Sequence, residues 1–375
     1  MVFILTIYIT LVYAILIASF VYGFIKVPHF KLKATKPKTG FSVIVPFRNE
    51  EANLPHFLKS VKELAYPKHL FEIILVNDAS SDKSAAIINT FIENGLHHVS
   101  MTQNTQKSTS PKKEAISKGI KSAQYDWIIT TDADCLLPKL WLQCYDAFIQ
   151  QTNYKLIAAP VNYFDVTSFL DRFQTMDLLS LIGTSIGGFG LGDPFLANGA
   201  NLAYQKKLFT ALSGFEGSTK IASGDDVFFL QKVVKNNSGD VGYLKTIQAT
   251  VETKAEPNWQ NLISQRLRWM AKSTHYTSCF AIVSGIIVAL MNLVLLLLIP
   301  LTILGHLSLQ SFLFVVLTKF IADFILIFKT SRLLQQESVL PAFVVASVLY
   351  PVFSIFIVVL SFFSSYTWKG RTFKK

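Results

Sequence analysis

A chain of 375 residues with 51% hydrophobic and only 16% charged side chains, and a mean hydropathy of +0.40, is too apolar for an ordinary water-soluble protein. The formal net charge of +11 does not argue for nucleic acid, because the basic residues flank apolar stretches, where anionic headgroups would meet them, and no zinc-ligand spacing or aromatic–basic pattern accompanies them. The three cysteines, Cys135, Cys144 and Cys279, are odd in number and irregularly spaced; they imply neither a disulfide framework nor a zinc site and fit a reducing compartment.

In chain order, residues 2–25 contain no charged side chain, and 24 residues at about 1.5 Å each cross a hydrocarbon core roughly 30 Å thick. A cleaved signal peptide would need a basic start and a shorter apolar stretch. Here the basic group Lys26, Lys31, Lys33, Lys36 and Lys38 follows the span. The expected result is an anchor with its amino end outside and the following residues in the cytoplasm.

From about residue 40 to 274, short β-rich runs alternate with longer helical patterns, which predicts an α/β fold with parallel strands and crossover helices. A strand at 41–46 leads to an amphipathic helix at 53–64, with Leu54, Phe57, Leu58, Val61 and Leu64 on one face. A second strand at 72–77 ends in Asp78 to Asp82, a turn suited to cap a helix at 83–92. A third strand falls near 98–102, a polar stretch at 102–111 reads as a mobile loop, and a helix near 112–123 precedes a strand at 127–131. That strand delivers Asp132 and Asp134. The run 183–192, rich in glycine, lacks the Lys-Ser/Thr ending of a phosphate-binding loop and reads as a flexible or interfacial link. Three further spans are expected near 277–302, 308–330 and 340–364, with Lys319 and Asp323 four apart inside the second. Three spans that start in the cytoplasm end outside, yet the tail carries Lys369, Arg371, Lys374 and Lys375. Either one segment is re-entrant or interfacial, with Pro351 in the middle of the last, or the charge rule fails; a cytoplasmic tail is the expectation.

The candidate chemistry sits at strand ends and helix starts. In open α/β sheets ligands bind beyond the carboxyl ends of strands. Asp132 and Asp134 there suit a hard cation such as Mg²⁺, held by one or two carboxylates plus substrate phosphate oxygens, although Asp-x-Asp is also a common solvated turn. Asp225 and Asp226 open an apolar helix, where carboxylates are favoured by the helix dipole even without a catalytic role.

Five stretches stand in order between the apolar spans: Val45-Pro46-Phe47-Arg48-Asn49-Glu50, Val76-Asn77-Asp78-Ala79-Ser80-Ser81-Asp82, Asp132-Ala133-Asp134, Gly224-Asp225-Asp226, and Gln265-x-x-Arg268-Trp269. In these the chain resembles the membrane-bound family 2 glycosyltransferases, which include cellulose, hyaluronan and chitin synthases and ceramide glucosyltransferase. The resemblance implies a Rossmann-like GT-A domain with a mixed, mostly parallel sheet over residues 40–275. It would lie between an anchor at 1–25 and a membrane region at 276–365, with a basic tail at 366–375. It implies an integral protein of the cell (inner) membrane with its catalytic domain in the cytoplasm.

The same resemblance implies inverting transfer from a nucleotide sugar, UDP-linked by expectation, to a membrane-associated lipid or glycan, assisted by Mg²⁺ or Mn²⁺. Asp226 is then the general base with Asp225 as accessory. Asp134 holds the metal, and Asp132 lies between metal and nucleotide. Pro46, Asn49, Glu50, Asp78, Lys112, Gln265, Arg268 and Trp269 are expected on the nucleotide sugar, and Asn198, Asn201 and Trp269 on the acceptor. Pro111 stands where the family often has glycine, so a solvated helix start remains open for Lys112. The alternatives are a processive polysaccharide synthase, for which four spans are few, and a catalytically silent membrane scaffold. A transporter fits poorly, because the apolar segments show no duplicated halves.

Overall fold

The computed structural model describes all residues except Met1, 106–108, Lys220, Ala222, Ser365, 369–370 and 374–375. Part of the polar 102–111 stretch and part of the basic tail therefore lie outside the described residues. The chain opens with α1 (Val2–Lys26) and enters the sheet through β1 (Phe41–Phe47), α2 (Leu54–Glu63), β2 (Phe71–Asn77), α3 (Ser84–Glu93), β3 (Val99–Gln103), α4 (Pro111–Ser122) and β4 (Trp127–Thr130). The fold continues with α5 (Trp141–Gln151), β5 (Leu156–Ala158), β6 (Val161–Phe164), α6 (Phe169–Leu191), β7 (Leu202–Gln205) and α7 (Lys206–Ala211). After α8 (Asp225–Asn236) come β8 (Val241–Tyr243), β9 (Val251–Lys254) and α9 (Trp259–Ser273). Three apolar helices, α10 (Cys279–Ile303), α11 (Leu309–Leu334) and α12 (Phe343–Phe363), close the chain with a hairpin of β10 (Tyr366–Trp368) and β11 (Arg371–Phe373).

Seven strands form one sheet in the order β3-β2-β1-β4-β7-β5-β8. The first four are parallel; β7 runs antiparallel to both β4 and β5, and β5 pairs parallel with β8. The β1 sequence is apolar on both faces, as a strand covered by helices on each side must be. Val43 and Val45 enter the layer with Phe57, Leu58 and Tyr145, while Ile44 enters the opposite layer with Ile116, Ile120 and Leu230. The carboxyl ends of β1, β2 and β4 thus open on the same edge, where the crossover loops carry their polar residues.

The glycine-rich run expected to be a link lies inside α6, apart from its terminal Gly192, which caps the helix with φ 83°. Glycine reads as a breaker in sequence, but here it lets two helix backbones meet. A Cβ on Gly190 would sit 1.9 Å from Gly23 O, and one on Gly187 would sit 2.6 Å from Phe20 O. Small residues permit this approach in a low-dielectric setting where packing, not water exclusion, holds helices together. Helix α6 therefore belongs as much to the membrane bundle as to the sheet domain.

Among the described residues, four helical stretches are long and apolar enough to cross a membrane: Ile4–Lys26, Cys279–Ile303, Leu309–Leu334 and Glu337–Phe363. Lys245 Nζ donates to Phe24 O (2.5 Å) and Val27 O (3.0 Å), fastening the end of α1 to the sheet domain. The far end of α11 is fastened likewise: Asn162 Nδ2 donates to Leu334 O (3.5 Å) and Gln336 Nε2 to Tyr163 O (3.1 Å). The first residue of helix α12, Phe343, packs on Phe320 and Phe324 of α11, and its Ile357 and Leu360 cluster with Ile263, Leu267 and Ala271 of α9. The β10 strand also returns against α9. Helix α12 continues unbroken through Pro351.

Candidate active site

The motifs converge on one edge of the sheet. Strand β1 ends beside β2, and Asp78 N donates to Phe47 O at 2.8 Å. Just beyond, Arg48 Nη1 donates to Asp78 O (2.8 Å) and Ala79 O (2.7 Å), so the two loops are clasped together. Asn49 adopts φ 52°, a conformation asparagine tolerates. Its Oδ1 accepts from Ser81 N at 2.8 Å. This side chain holds the loop and does not line the recess beneath it, contrary to the expectation from sequence; Arg48 lines it instead. Pro46, Glu50 and Asp78 do line this recess of about 90 Å³, together with Lys112, Asp132, Asp134 and Arg268. Asp78 is held by Asn104 Nδ2, which donates to its Oδ1 at 2.8 Å.

After β4, Asp132 to Cys135 form a tight turn closed by Cys135 N donating to Asp132 O at 3.2 Å. Lys112, in the first turn of α4, reaches over it. Its Nζ is 2.7 Å from Asp132 Oδ1 and 3.7 Å from Asp225 Oδ2. One cation therefore joins two acidic motifs some ninety positions apart in sequence, and Lys112 is not a solvated helix start. Burial opposes the charge of Lys112, but the carboxylates of Asp132 and Asp225 outweigh it and raise its pKa. The adjoining Lys113 turns away: its Nζ donates to Ser218 O (2.7 Å) and Ile221 O (2.8 Å), and burial lowers its pKa to about 8.

Gly224, at φ 83°, starts α8 so that Asp225 and Asp226 face the cleft. Gly199 comes so close that a Cβ there would lie 2.8 Å from Asp225 Oδ2. Asp226 accepts from Gly199 N (3.1 Å) and Val227 N (2.7 Å) and pairs with Lys272 Nζ at 3.3 Å. The two neighbouring carboxylates are pushed apart. Burial, opposed by Lys112 and reinforced by Asp226, raises the Asp225 pKa. Burial also works against Asp226, but Lys272, the two amides and Lys112 prevail and hold it below the usual carboxylate value. Such divergence is how one site supplies carboxyl groups of different proton affinity.

A cleft of about 600 Å³ joins these groups to the start of the membrane bundle. Asn198, Gln265, Arg268, Trp269 and Lys272 line it, and Arg268 reaches the smaller recess as well. Gln265 is spent locally, since its Nε2 donates to Glu256 Oε1 (2.8 Å) and its Oε1 accepts from Arg266 Nη1. Arg266 stacks 4.1 Å from the Trp269 ring centre and pairs with Asp177 at 2.7 Å, fixing α9 to α6. Asn201, expected at the acceptor, is fully buried. It accepts from Trp141 Nε1 and Tyr145 OH, both at 2.9 Å, and donates to Pro160 O and Ala249 O, both at 2.7 Å. That asparagine is a core bolt with no free group for a ligand. Reasoning from the motifs alone did not find Arg48, Lys272 or the Asp177–Arg266 pair; the one local signal was Lys272 at four residues past Arg268, on the same helix face.

No group of three or more His, Cys, Asp or Glu side chains among the described residues forms an all-protein metal cage. The donor set on offer, Asp134 and Asp132 beside an open recess, suits an oxygen-seeking cation that a diphosphate would help to coordinate.

The glycosyl transferase family 2 model matches residues 42–212. A relative named probable glycosyltransferase YdaM, from Bacillus subtilis (strain 168), is 27% identical over 245 residues, covering 63% of this chain and 55% of that protein. The poly-beta-1,6-N-acetyl-D-glucosamine synthase of Staphylococcus epidermidis is 31% identical over 180 residues, covering 45% of this chain and 41% of the synthase. The chain thus spans about half the length of these curated relatives. Among solved structures, the mannosyltransferase PcManGT from Pyrobaculum calidifontis, in complex with GDP-Man and Mn²⁺, matches with a TM-score of 0.60 at 14% identity, over 93% of this chain and 99% of that one. That likeness is one of fold.

Proposed function

We propose that this chain, which belongs to glycosyltransferase family 2, transfers a sugar with inversion from a UDP-linked donor to a hydroxyl of a membrane-associated acceptor. The observation behind this reading is that Lys112, Asp132, Asp134, Asp225, Asp226 and Arg268 border one cleft at the foot of the membrane helices. A nucleotide is received at Asp78 and Arg48, and its diphosphate lies across Lys112 and Arg268, whose planar fork suits phosphate oxygens. Asp134 with Asp132 would hold Mg²⁺ or Mn²⁺, which when bound stabilises negative charge on the departing diphosphate.

The acceptor oxygen attacks the anomeric carbon while Asp226 takes its proton. The bond from that carbon to the diphosphate breaks, and UDP leaves with the electron pair. Asp226 is suited to this because Lys272 and two amides keep it ionised. Trp269 offers a flat wall for the incoming sugar or lipid head, and Asn198 faces the same space.

The Lys26–Lys38 basic group next to α1 favours a catalytic domain on the cytoplasmic face of the cell membrane, and the return of α12 to α9 favours a tail on the same side. The processive reading has one specific support, the name of the staphylococcal relative. Four helices among the described residues are long and apolar enough to cross a membrane, and single transfer is the reading favoured here. A silent scaffold accords poorly with six ionisable motif residues kept at one cleft. The test is incubation of the purified chain in nanodiscs with radiolabelled nucleotide sugars, an N-acetylglucosamine donor first. Products are then separated by chromatography. A short, organic-soluble product supports the reading; long polymer replaces it with the synthase.

A further inference from the structure

The cavities do not stop at the carboxylates. Behind Asn198, Asp226 and Trp269 opens a space of about 190 Å³, and it shares Leu181, Leu196 and Tyr276 with a chamber of about 350 Å³ deeper in the bundle. That chamber lies among α1, α6, α10, α11 and α12. Its walls are apolar, with Ile17, Phe20, Val288, Leu326, Ile327 and Val358 prominent.

Its polar groups are largely spent on the protein. Ser180 Oγ donates to Asp177 O (2.8 Å), Ser347 Oγ donates to Val344 O (2.8 Å), and Ser354 Oγ accepts from Asn292 Nδ2 (3.3 Å). The carboxylates of Asp177 and Asp323 are each paired, with Arg266 at 2.7 Å and Lys319 at 2.5 Å. Ser284 Oγ is buried without a partner, and the hydroxyls of Thr184 and Tyr276 also face the chamber. A passage for a growing polysaccharide needs many free donors and acceptors along its wall, and this wall presents methyl and methylene groups.

We infer that the chamber receives the hydrocarbon tail of the acceptor lipid, so that its hydroxyl head emerges past Tyr276 and Trp269 at Asp226. The inference rests on the transferase reading and adds the substrate class. Three observations meet in it: the chamber adjoins the catalytic cleft through shared wall residues, its wall is largely apolar, and its volume is about 350 Å³. A tail moving from bilayer to chamber leaves one apolar setting for another and gains little from water exclusion. The chamber therefore acts by placing the head group, and blocking it is expected to reduce transfer more than donor use.

Gly285 of α10 offers a clean block, since it lines the chamber and a Cβ there would meet nothing within 4 Å. The full chain is placed in phosphatidylcholine–phosphatidylglycerol nanodiscs doped with native membrane lipid extract and given a radiolabelled sugar donor. Gly285→Phe is expected to lower label in chloroform-extractable product at least tenfold, with UDP release to water changed less than twofold. Ile286→Phe adds bulk at the next position, which is 53% exposed and does not line the chamber, and is expected to transfer normally. In parallel, hexadecanol carrying a diazirine is photolysed with the unmodified chain, and labelled peptides are mapped. Labels on the chamber faces of α10 and α12 support the inference, and this arm decides the matter if Gly285→Phe does not fold. Normal transfer by a folded Gly285→Phe, or labels confined to bilayer-facing residues, overturns it while leaving the transferase reading intact. Chamber labelling in a chain that turns over no sugar donor overturns the transferase reading, and the acceptor role with it.

Discussion

Lys272 Nζ lies 3.3 Å from Asp226 Oδ1, one helical turn beyond Arg268 on the helix that leads into the membrane. This contact couples the sheet domain to the bundle through the carboxylate assigned to proton transfer. Lys272 is itself held charged: burial opposes its charge, but Asp226 outweighs it and raises the pKa.

A pH prediction follows from the sign of that coupling. A nearby cation favours the carboxylate, so Asp226 stays ionised below the usual aspartate range, near 3.9. The acid limb of the kcat/KM profile is expected to lie low. Lys272→Met removes the cation and raises the Asp226 pKa, so activity is lost earlier as pH falls. Initial rates of transfer across pH 4–8 check this; an unmoved acid limb separates Lys272 from the base.

The Asp132–Asp134 turn gives a second expectation. Asp134→Ala weakens metal-dependent binding of the UDP-sugar by at least tenfold and leaves metal-free UDP binding within about threefold, since Asp134 acts through the cation. Titration of nucleotide fluorescence with and without Mn²⁺ measures both. Unchanged metal dependence removes Asp134 from the metal shell.

The α1–α6 crossing gives a third. Gly190→Val places a side chain where a Cβ already meets Gly23 O at 1.9 Å, so backbone must move. The expected loss is at the high end for single substitutions, above about 4 kcal/mol, read as a lowered thermal midpoint in detergent. A midpoint equal to the unaltered chain would show that the helices do not meet there.

The Asp177–Arg266 pair is buried and joins α6 to α9. Asp177→Leu alone strands a buried guanidinium and is expected to cost about 3–5 kcal/mol, whereas Asp177→Leu with Arg266→Met recovers most of it. Thermal unfolding of the single and double variants decides. A double variant as unstable as the single one contradicts the pairing.

Much of this arrangement was legible in the sequence because it is local. The run from Phe41 alternates between two apolar layers, the helix expected at 112–123 is found at Pro111–Ser122, and each acidic motif falls at a strand end or helix start. What escaped depends on partners distant in the chain. Asn201 looks like a ligand-binding asparagine until Trp141, Tyr145, Pro160 and Ala249 are seen to use all its groups. Asn49 looks like Asp78's companion until Ser81 claims it. The glycines of α6 read as a flexible or interfacial link because nothing local reveals Gly23 across the crossing. Helix α12 has the length and apolarity of a span, and nothing local in its sequence reveals that it packs on α9.

The central claim is that Asp226 removes the acceptor's proton within a cleft that Asp78, Asp134 and Arg268 share. It is tested most directly by single-turnover transfer of labelled sugar with Asp226→Asn, alongside UDP-binding titration. The expected result is a fall in transfer of about 10²–10⁴-fold with UDP affinity changed less than threefold. Transfer at the rate of the unaltered chain, or loss of UDP binding in step with transfer, would contradict it.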